Sequence, residues 1–195
     1  DIYRRELVSF PSYDTVKHIS WYYPEDKYLS AVTDKNISFE KLTYFSDGLK
    51  VIAYLTTPTS PTQKKYPVVI FNRGSYIRND IVFVHAPLFR MLVQNGFIVI
   101  APALRQSEGG EGKDELGGKE LSDIMNLEAL LVNVTHADTE NMFMLGESRG
   151  GMMTFQAIRH HFPVRAAATI GAITDLKIYI EDQKWEEKTL TELWS

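Results

Sequence analysis

Two hydrophobic periods divide the chain. From Ile37 to Phe45 the stretch ISFEKLTYF alternates apolar and polar residues, Ser46-Asp47-Gly48 forms a turn signal, and KVIAYLTTP alternates back. That pattern predicts an antiparallel hairpin, strands one and two. PVVIFN (67–72) is a short unbroken apolar run, as expected of a parallel strand covered on both faces. Pro87 to Asn95 carries Leu88, Met91 and Leu92 at helical spacing, with Gly96 placed as a left-handed C-cap before the strand FIVIAP. A glycine-rich loop (107–118) leads to a helix with Leu121, Ile124, Met125, Leu127 and Leu131 on its apolar side. The strand NMFMLG, a helix after Ser148 and the strand RAAATIGAI follow. Alternating β and α elements with buried strands predict an α/β chain built on a mostly parallel, doubly wound sheet. Residues 1–36 lack either period. Their aromatic cluster Trp21-Tyr22-Tyr23 and the turn at Pro24-Glu25-Asp26 suggest short helices packed as a cover, so the chain divides into 1–36 and 37–195.

Composition narrows the picture. At 195 residues, 44% hydrophobic and 24% charged, one main domain with a substantial core is expected. Twenty-one Lys and Arg against 25 Asp and Glu give a net charge of −4 with no basic block, so nucleic acid is not an expected partner. No cysteine is present, which excludes disulfides, thiolate metal sites and a cysteine nucleophile but leaves both cytoplasm and periplasm open. The longest apolar stretch, Phe97 to Leu104, is too short to span a bilayer, and DIYRRELVSF lacks a signal-peptide core; no membrane association is expected. A chain beginning at Asp1 rather than Met is expected to be processed or trimmed.

The candidate chemistry lies in GESRGG (146–151). Gly146-Glu147-Ser148-Arg149-Gly150 fits G-x-S-x-G, a sharp strand-to-helix turn that exposes a serine hydroxyl at the strand's C-terminal edge. Gly146 and Gly150 are needed because a Cβ at either position would meet the neighbouring strand or helix. Glycine is common enough for the pattern to arise by chance in a loop; an apolar strand before it and an amphipathic helix after it supply the context the motif demands. Ser148 is therefore the expected nucleophile. The Arg149 amide, at the positive end of the helix, is an expected oxyanion donor. The second donor is expected after the third strand, in Asn72-Arg73-Gly74-Ser75, from the Ser75 amide or else the Gly74 amide; an ordinary glycine turn is the alternative. Glycines 109, 110, 112, 117 and 118 complete neither phosphate-binding motif and read as a surface loop near the site mouth.

Together with ALRQSEGGEGKDELGGKELSDIMNLEALL, SDGLKVIAYLTTP and PVVIFNRGS, the elbow resembles the prolyl oligopeptidase family of serine hydrolases over about residues 37–180. The resemblance implies an α/β-hydrolase fold with Ser148 as nucleophile, Arg149 and the Arg73-Gly74-Ser75 loop as oxyanion donors, and residues 108–118 beside the pocket. Leu104 and Gln106 depart from that family's usual Tyr and Gly.

Hydrolases of this fold order their triad Ser, Asp or Glu, then His. After Ser148 only His160 and His161 remain, and twelve helical residues put His160 about 18 Å away. His18, His85 and His136 precede the serine and read as surface or capping residues. Asp175 is the one acid near a suitable strand end, with helix N-capping as its alternative duty. The acid and base are thus missing, and RAAATIGAI, apolar on both faces, should not be a sheet edge. The expectation is a hydrolase truncated after about the sixth strand, inactive alone, with a further segment or a second copy completing the sheet. The chain's end, with Trp185, Leu193 and Trp194, reads as an amphipathic helix. The leading function is a serine hydrolase acting on a small ester or short peptide with no metal or cofactor. The alternatives are an esterase on carbohydrate or lipid acyl groups, and an inactive binding or assembly module.

Overall fold

The computed structural model describes residues 2–16, 23–76 and 79–182. The expected hairpin is formed by β2 (Ile37–Ser46) and β3 (Leu49–Pro58), paired without a slip from Ser46↔Leu49 to Ile37↔Pro58. Asp47 and Gly48 turn the chain at φ 51° and 81°. Positive φ at both turn residues matches the twist of the flanking strands, which is why Asp-Gly suits this position. Among the described residues the segment read as short helices does contain two, α1 (Tyr13–Val16) and α2 (Glu25–Val32), but a strand, β1 (Ile2–Leu7), precedes them antiparallel to β2. Charge conceals that strand from a hydrophobic reading: Arg4 pairs with Glu6 at 2.7 Å, and Arg5 pairs with Glu40 of β2. Such an edge is well suited to water and poorly suited to pairing with another sheet.

β4 (Tyr66–Asn72), β5 (Ile98–Pro102), β6 (Ala137–Glu147) and β7 (Ala166–Ile170) complete a seven-stranded sheet of order β1-β2-β3-β5-β4-β6-β7. β5, β4, β6 and β7 run parallel, and β3 joins β5 antiparallel. Val68, Ile70, Ile98 and Ile100 at the centre are at most 1% exposed, which explains their unbroken apolar runs. On one face Leu42, Leu55, Ile70 and Met144 pack with Leu127, Leu131 and Met153, from α5 (Leu127–Leu131) and α6 (Arg149–Arg159). On the other, Phe39, Ile52, Phe71 and Val99 pack with Ala31 of α2 and with Phe89 and Val93 of α3 (Ile81–Gln94).

Two further elements differ from expectation. α3 begins at Ile81, six residues before Pro87, so the proline lies inside the helix. Pro87 has no N–H for the Phe83 carbonyl one turn back, and buried Val84, His85 and Ala86 carry the helix through that gap. The single helix expected near Leu121–Leu131 is two, α4 (Leu121–Met125) and α5, meeting at Asn126, whose Nδ2 donates to Ser46 Oγ at 3.1 Å. β7 is an edge strand of the sheet, where Ala166, Ala167 and Ala168 are exposed and Ile170 is 65% exposed. Among the described residues no helix is long and apolar enough to cross a membrane.

Candidate active site

β6 ends at Glu147 and α6 begins at Arg149; Ser148 makes the whole turn between them, at φ 52°, ψ −119°. Backbone in that region costs on the order of 1–3 kcal/mol and persists only where its surroundings enforce it. The surroundings here are backbone against backbone. A Cβ on Gly146 would lie 2.5 Å from the Gly150 carbonyl oxygen, and one on Gly150 would lie 1.8 Å from that of Asn72. A Cβ on Gly151 would fall 2.4 Å from the Ala172 Cβ. The Ser148 N–H donates to the Ile170 carbonyl at 2.8 Å, and its own carbonyl accepts the Gly151 N–H at 2.9 Å. Ser148 itself is partly exposed.

Parallel pairing sets Asn72 beside Gly146 and carries the loop after β4 across the elbow. Asn72 Nδ2 donates to Thr154 Oγ1 at 2.8 Å, and that hydroxyl donates to the Gly150 carbonyl at 2.8 Å, tying strand to helix. A Cβ on Gly74 would come within 3.2 Å of the Ser148 Cβ, so this backbone lies against the serine. Ser75 follows at φ 65°. Its N–H has no acceptor among the described residues, and the Arg149 N–H opens α6, where a helix leaves its amides unpaired. Ser148, Arg149, Gly74, Ser75, Gly146 and Gly150 are thus brought into one constellation.

The side chain of Arg149 adds something that backbone reasoning did not contain. Its guanidinium turns inward, 1% exposed, and meets Asp114 at 2.5 and 2.7 Å and also Glu120. Both carboxylates are wholly buried. Glu120 also accepts the N–H groups of Glu115, Gly117 and Gly118. The glycine-rich loop read as surface is therefore fastened to the elbow by buried charge, and its glycines let the backbone fold around a carboxylate. Buried Arg105 likewise joins buried Asp123 at 2.8 Å and half-exposed Asp47 at 3.1 Å. Arg73, also 1% exposed, donates instead to the carbonyls of Gly74, Ser75, Tyr76 and Ala103 and to the Ser107 hydroxyl. A usable signal existed: β4, β5 and β6 are each followed within three residues by an arginine, and a buried arginine requires buried partners.

His85, read as a surface or capping residue, is buried in α3 beneath the elbow. Its Nδ1 faces the Ile81 carbonyl at 2.9 Å, its Nε2 faces Glu147 Oε2 at 3.3 Å, and its ring packs on Phe71 and Phe89. Burial, and then the Glu147 charge, push the Tyr23 hydroxyl above its usual range. Burial together with Glu108, whose carboxylate accepts the Tyr54 hydroxyl at 2.8 Å, raises Tyr54 much further. His136 bonds the Lys64 carbonyl, and His160 follows the last residue of α6. Among the described residues no histidine is hydrogen-bonded to the Ser148 hydroxyl. Asp175 caps α7 (Leu176–Asp182) by accepting the Ile178 N–H at 3.0 Å. His18, Trp21, Trp185, Leu193 and Trp194 lie outside the described residues. Among the described residues no group of three His, Asp or Glu could hold a metal ion.

A family model described as Chlorophyllase matches residues 36–173. The Bacillus subtilis (strain 168) protein named "Uncharacterized peptidase YtmA" is 25% identical over 151 residues, 77% of this chain and 57% of its own length. Chlorophyllase-1 of Arabidopsis thaliana is 28% identical over 123 residues, 61% of this chain and 36% of its own. The chain therefore spans 57% and 36% of the length of these two curated relatives. Among solved structures, acetyl xylan esterase 1 from Thermoanaerobacterium sp. JW/SL YS485 superposes with a TM-score of 0.65 at 15% identity, covering 99% of this chain and 60% of that one. The fold is that of the α/β hydrolases.

Proposed function

The chain belongs to the Chlorophyllase family, and from that premise we propose that it is the nucleophile-bearing part of a serine hydrolase that cleaves a small ester or short peptide through an acyl-enzyme on Ser148. The observation that carries the reading is the turn itself. Ser148 is held at φ 52°, ψ −119° on a strand-to-helix corner, partly exposed, with two amides lacking acceptors on either side of it. Holding a serine in strained backbone serves no purpose for stability and serves nucleophilic attack well. The hydroxyl adds to the carbonyl carbon, the Ser75 and Arg149 amides stabilise the oxyanion, and collapse expels the alcohol or amine. Hydrolases of this fold take the acid and then the base from chain following the serine. Both are expected from polypeptide outside the described residues. A protein that lacks both should retain little turnover, only the residual catalysis of binding and the oxyanion donors.

The finer alternatives divide by leaving group: a peptidase, as the resemblance to prolyl oligopeptidases implies, or an esterase, as the name of acetyl xylan esterase 1 suggests. Parallel assays with p-nitrophenyl acetate and an aminoacyl p-nitroanilide separate them. The decisive test of the common mechanism is labelling by a fluorophosphonate followed by peptide mapping. Modification on Ser148, absent in a folded Ser148→Ala variant that has also lost turnover, is expected. Turnover that survives Ser148→Ala would reject the reading.

A further inference from the structure

Three carbonyls in a row after β4, those of Gly74, Ser75 and Tyr76, point at one guanidinium. Arg73 Nη1 donates to Gly74 at 3.0 Å, to Ser75 at 3.1 Å and also to Tyr76, while Nε and Nη2 hold the Ala103 carbonyl at 3.0 and 2.8 Å. Nη2 further donates to Ser107 Oγ at 2.8 Å, so the fork is anchored to the segment after β5. In a trans peptide the C=O and N–H groups point in opposite directions. Drawing the Gly74 carbonyl inward therefore turns the Ser75 N–H outward, and drawing the Ser75 carbonyl inward does the same to the Tyr76 N–H. The Ser75 carbonyl is held from a second side by Arg149 Nη1 at 3.3 Å. The positive φ of Ser75, unfavourable for a residue with a Cβ, is the conformation this carbonyl gathering requires.

We propose that Arg73 is a positioning residue for the oxyanion site: by gathering these carbonyls it fixes the Ser75 amide toward Ser148 and polarises it as a donor to a tetrahedral anion. The inference rests on the hydrolase reading of Ser148 and adds the device that would prepare the second donor. A cation on a peptide's carbonyl draws electron density from the same peptide's nitrogen, so its N–H becomes a better donor. The ligand class this favours is a tetrahedral anionic adduct, in preference to the planar substrate.

The test compares wild type with Arg73→Met and Ser107→Ala, using phenylboronic acid as the tetrahedral probe and the Ser75 amide proton as the spectroscopic reporter. In wild type the boronate adduct on Ser148 should move that proton downfield. In Arg73→Met the shift should vanish, and boronate affinity and kcat should both fall about 10²-fold, the usual consequence of losing one oxyanion donor, with KM changed less than about 3-fold. Ser107→Ala, which removes one acceptor and leaves the carbonyls in place, should lose about 3-fold in boronate affinity and remain folded. Unchanged boronate affinity and an unchanged Ser75 shift in folded Arg73→Met overturn the role of Arg73. If that variant does not fold, the same null result in Ser107→Ala overturns it. The measurements use protein that includes the acid and base; no adduct and no turnover in that wild type would instead mean that the hydrolase reading has failed, and this inference with it.

Discussion

The two loops that meet over Ser148 are each organised by a buried arginine, and the arginines hold them on two different plans. The loop after β4 is gathered by Arg73 onto neutral carbonyls; the loop after β5 is fastened by Arg149 through two carboxylates, Asp114 and Glu120. Both guanidiniums are 1% exposed and both reach the Ser75 carbonyl. The difference teaches that burial of a cation does not determine its role. Carboxylates bind the Arg149 side by charge, whereas the carbonyls held by Arg73 are dipoles that it turns and polarises.

The comparison can be broken most forcefully at Arg149. Arg149→Met abandons two buried carboxylates, and urea unfolding should register a loss of about 3–5 kcal/mol, the cost of an uncompensated buried charge. Arg73→Met strands dipoles and should cost less, about 1–3 kcal/mol by the same measurement. Near-equal losses would erase the distinction between the two plans. Gly150→Ala probes contact in place of charge. Its methyl would lie 1.8 Å from the Asn72 carbonyl oxygen and drive β4 from α6, so a loss near the ~3 kcal/mol top of the usual overpacking range is expected, with Ser148 labelling lost as well.

The smallest effect is a pH dependence confined to the carboxylate side. Hydrogen bonding from Ser122, and then Arg105, hold the Asp47 carboxyl below its ordinary value of 3.8. A depressed folded value contributes stability that is fully present above the unfolded value and is lost as pH falls through the lower folded one. Amide protection factors in residues 103–120, which remove the intrinsic pH dependence of exchange, should therefore fall below about pH 4 before those in residues 72–76 do, and Asp47→Asn should flatten that response. The amount is below about 1 kcal/mol, since solvent screens a half-exposed carboxylate.

Hydrophobic patterning made most of the architecture legible. The Asp47-Gly48 hairpin, the unbroken runs of β4 and β5, and the glycines around Ser148 each follow from one local physical requirement, and each was found where the sequence led. The missed features depend on partners distant in the chain. β1 carries charges answered by Glu40, thirty-five positions from Arg5. Asp114 lies in a loop read as surface until Arg149 closes on it and on Glu120, and Pro87 marks a helix start only while the buried turn before it goes unnoticed. His85 was discounted for the same reason, since nothing in its neighbours reveals that the ring lies under the elbow.

That ring has a consequence for the residue preceding the serine. Its two nitrogens lie against the Ile81 carbonyl at 2.9 Å and Glu147 Oε2 at 3.3 Å, so one imidazole links the first turn of α3 to the last residue of β6. The corner that carries the serine is thereby braced from below by a helix that contributes nothing to the motif itself.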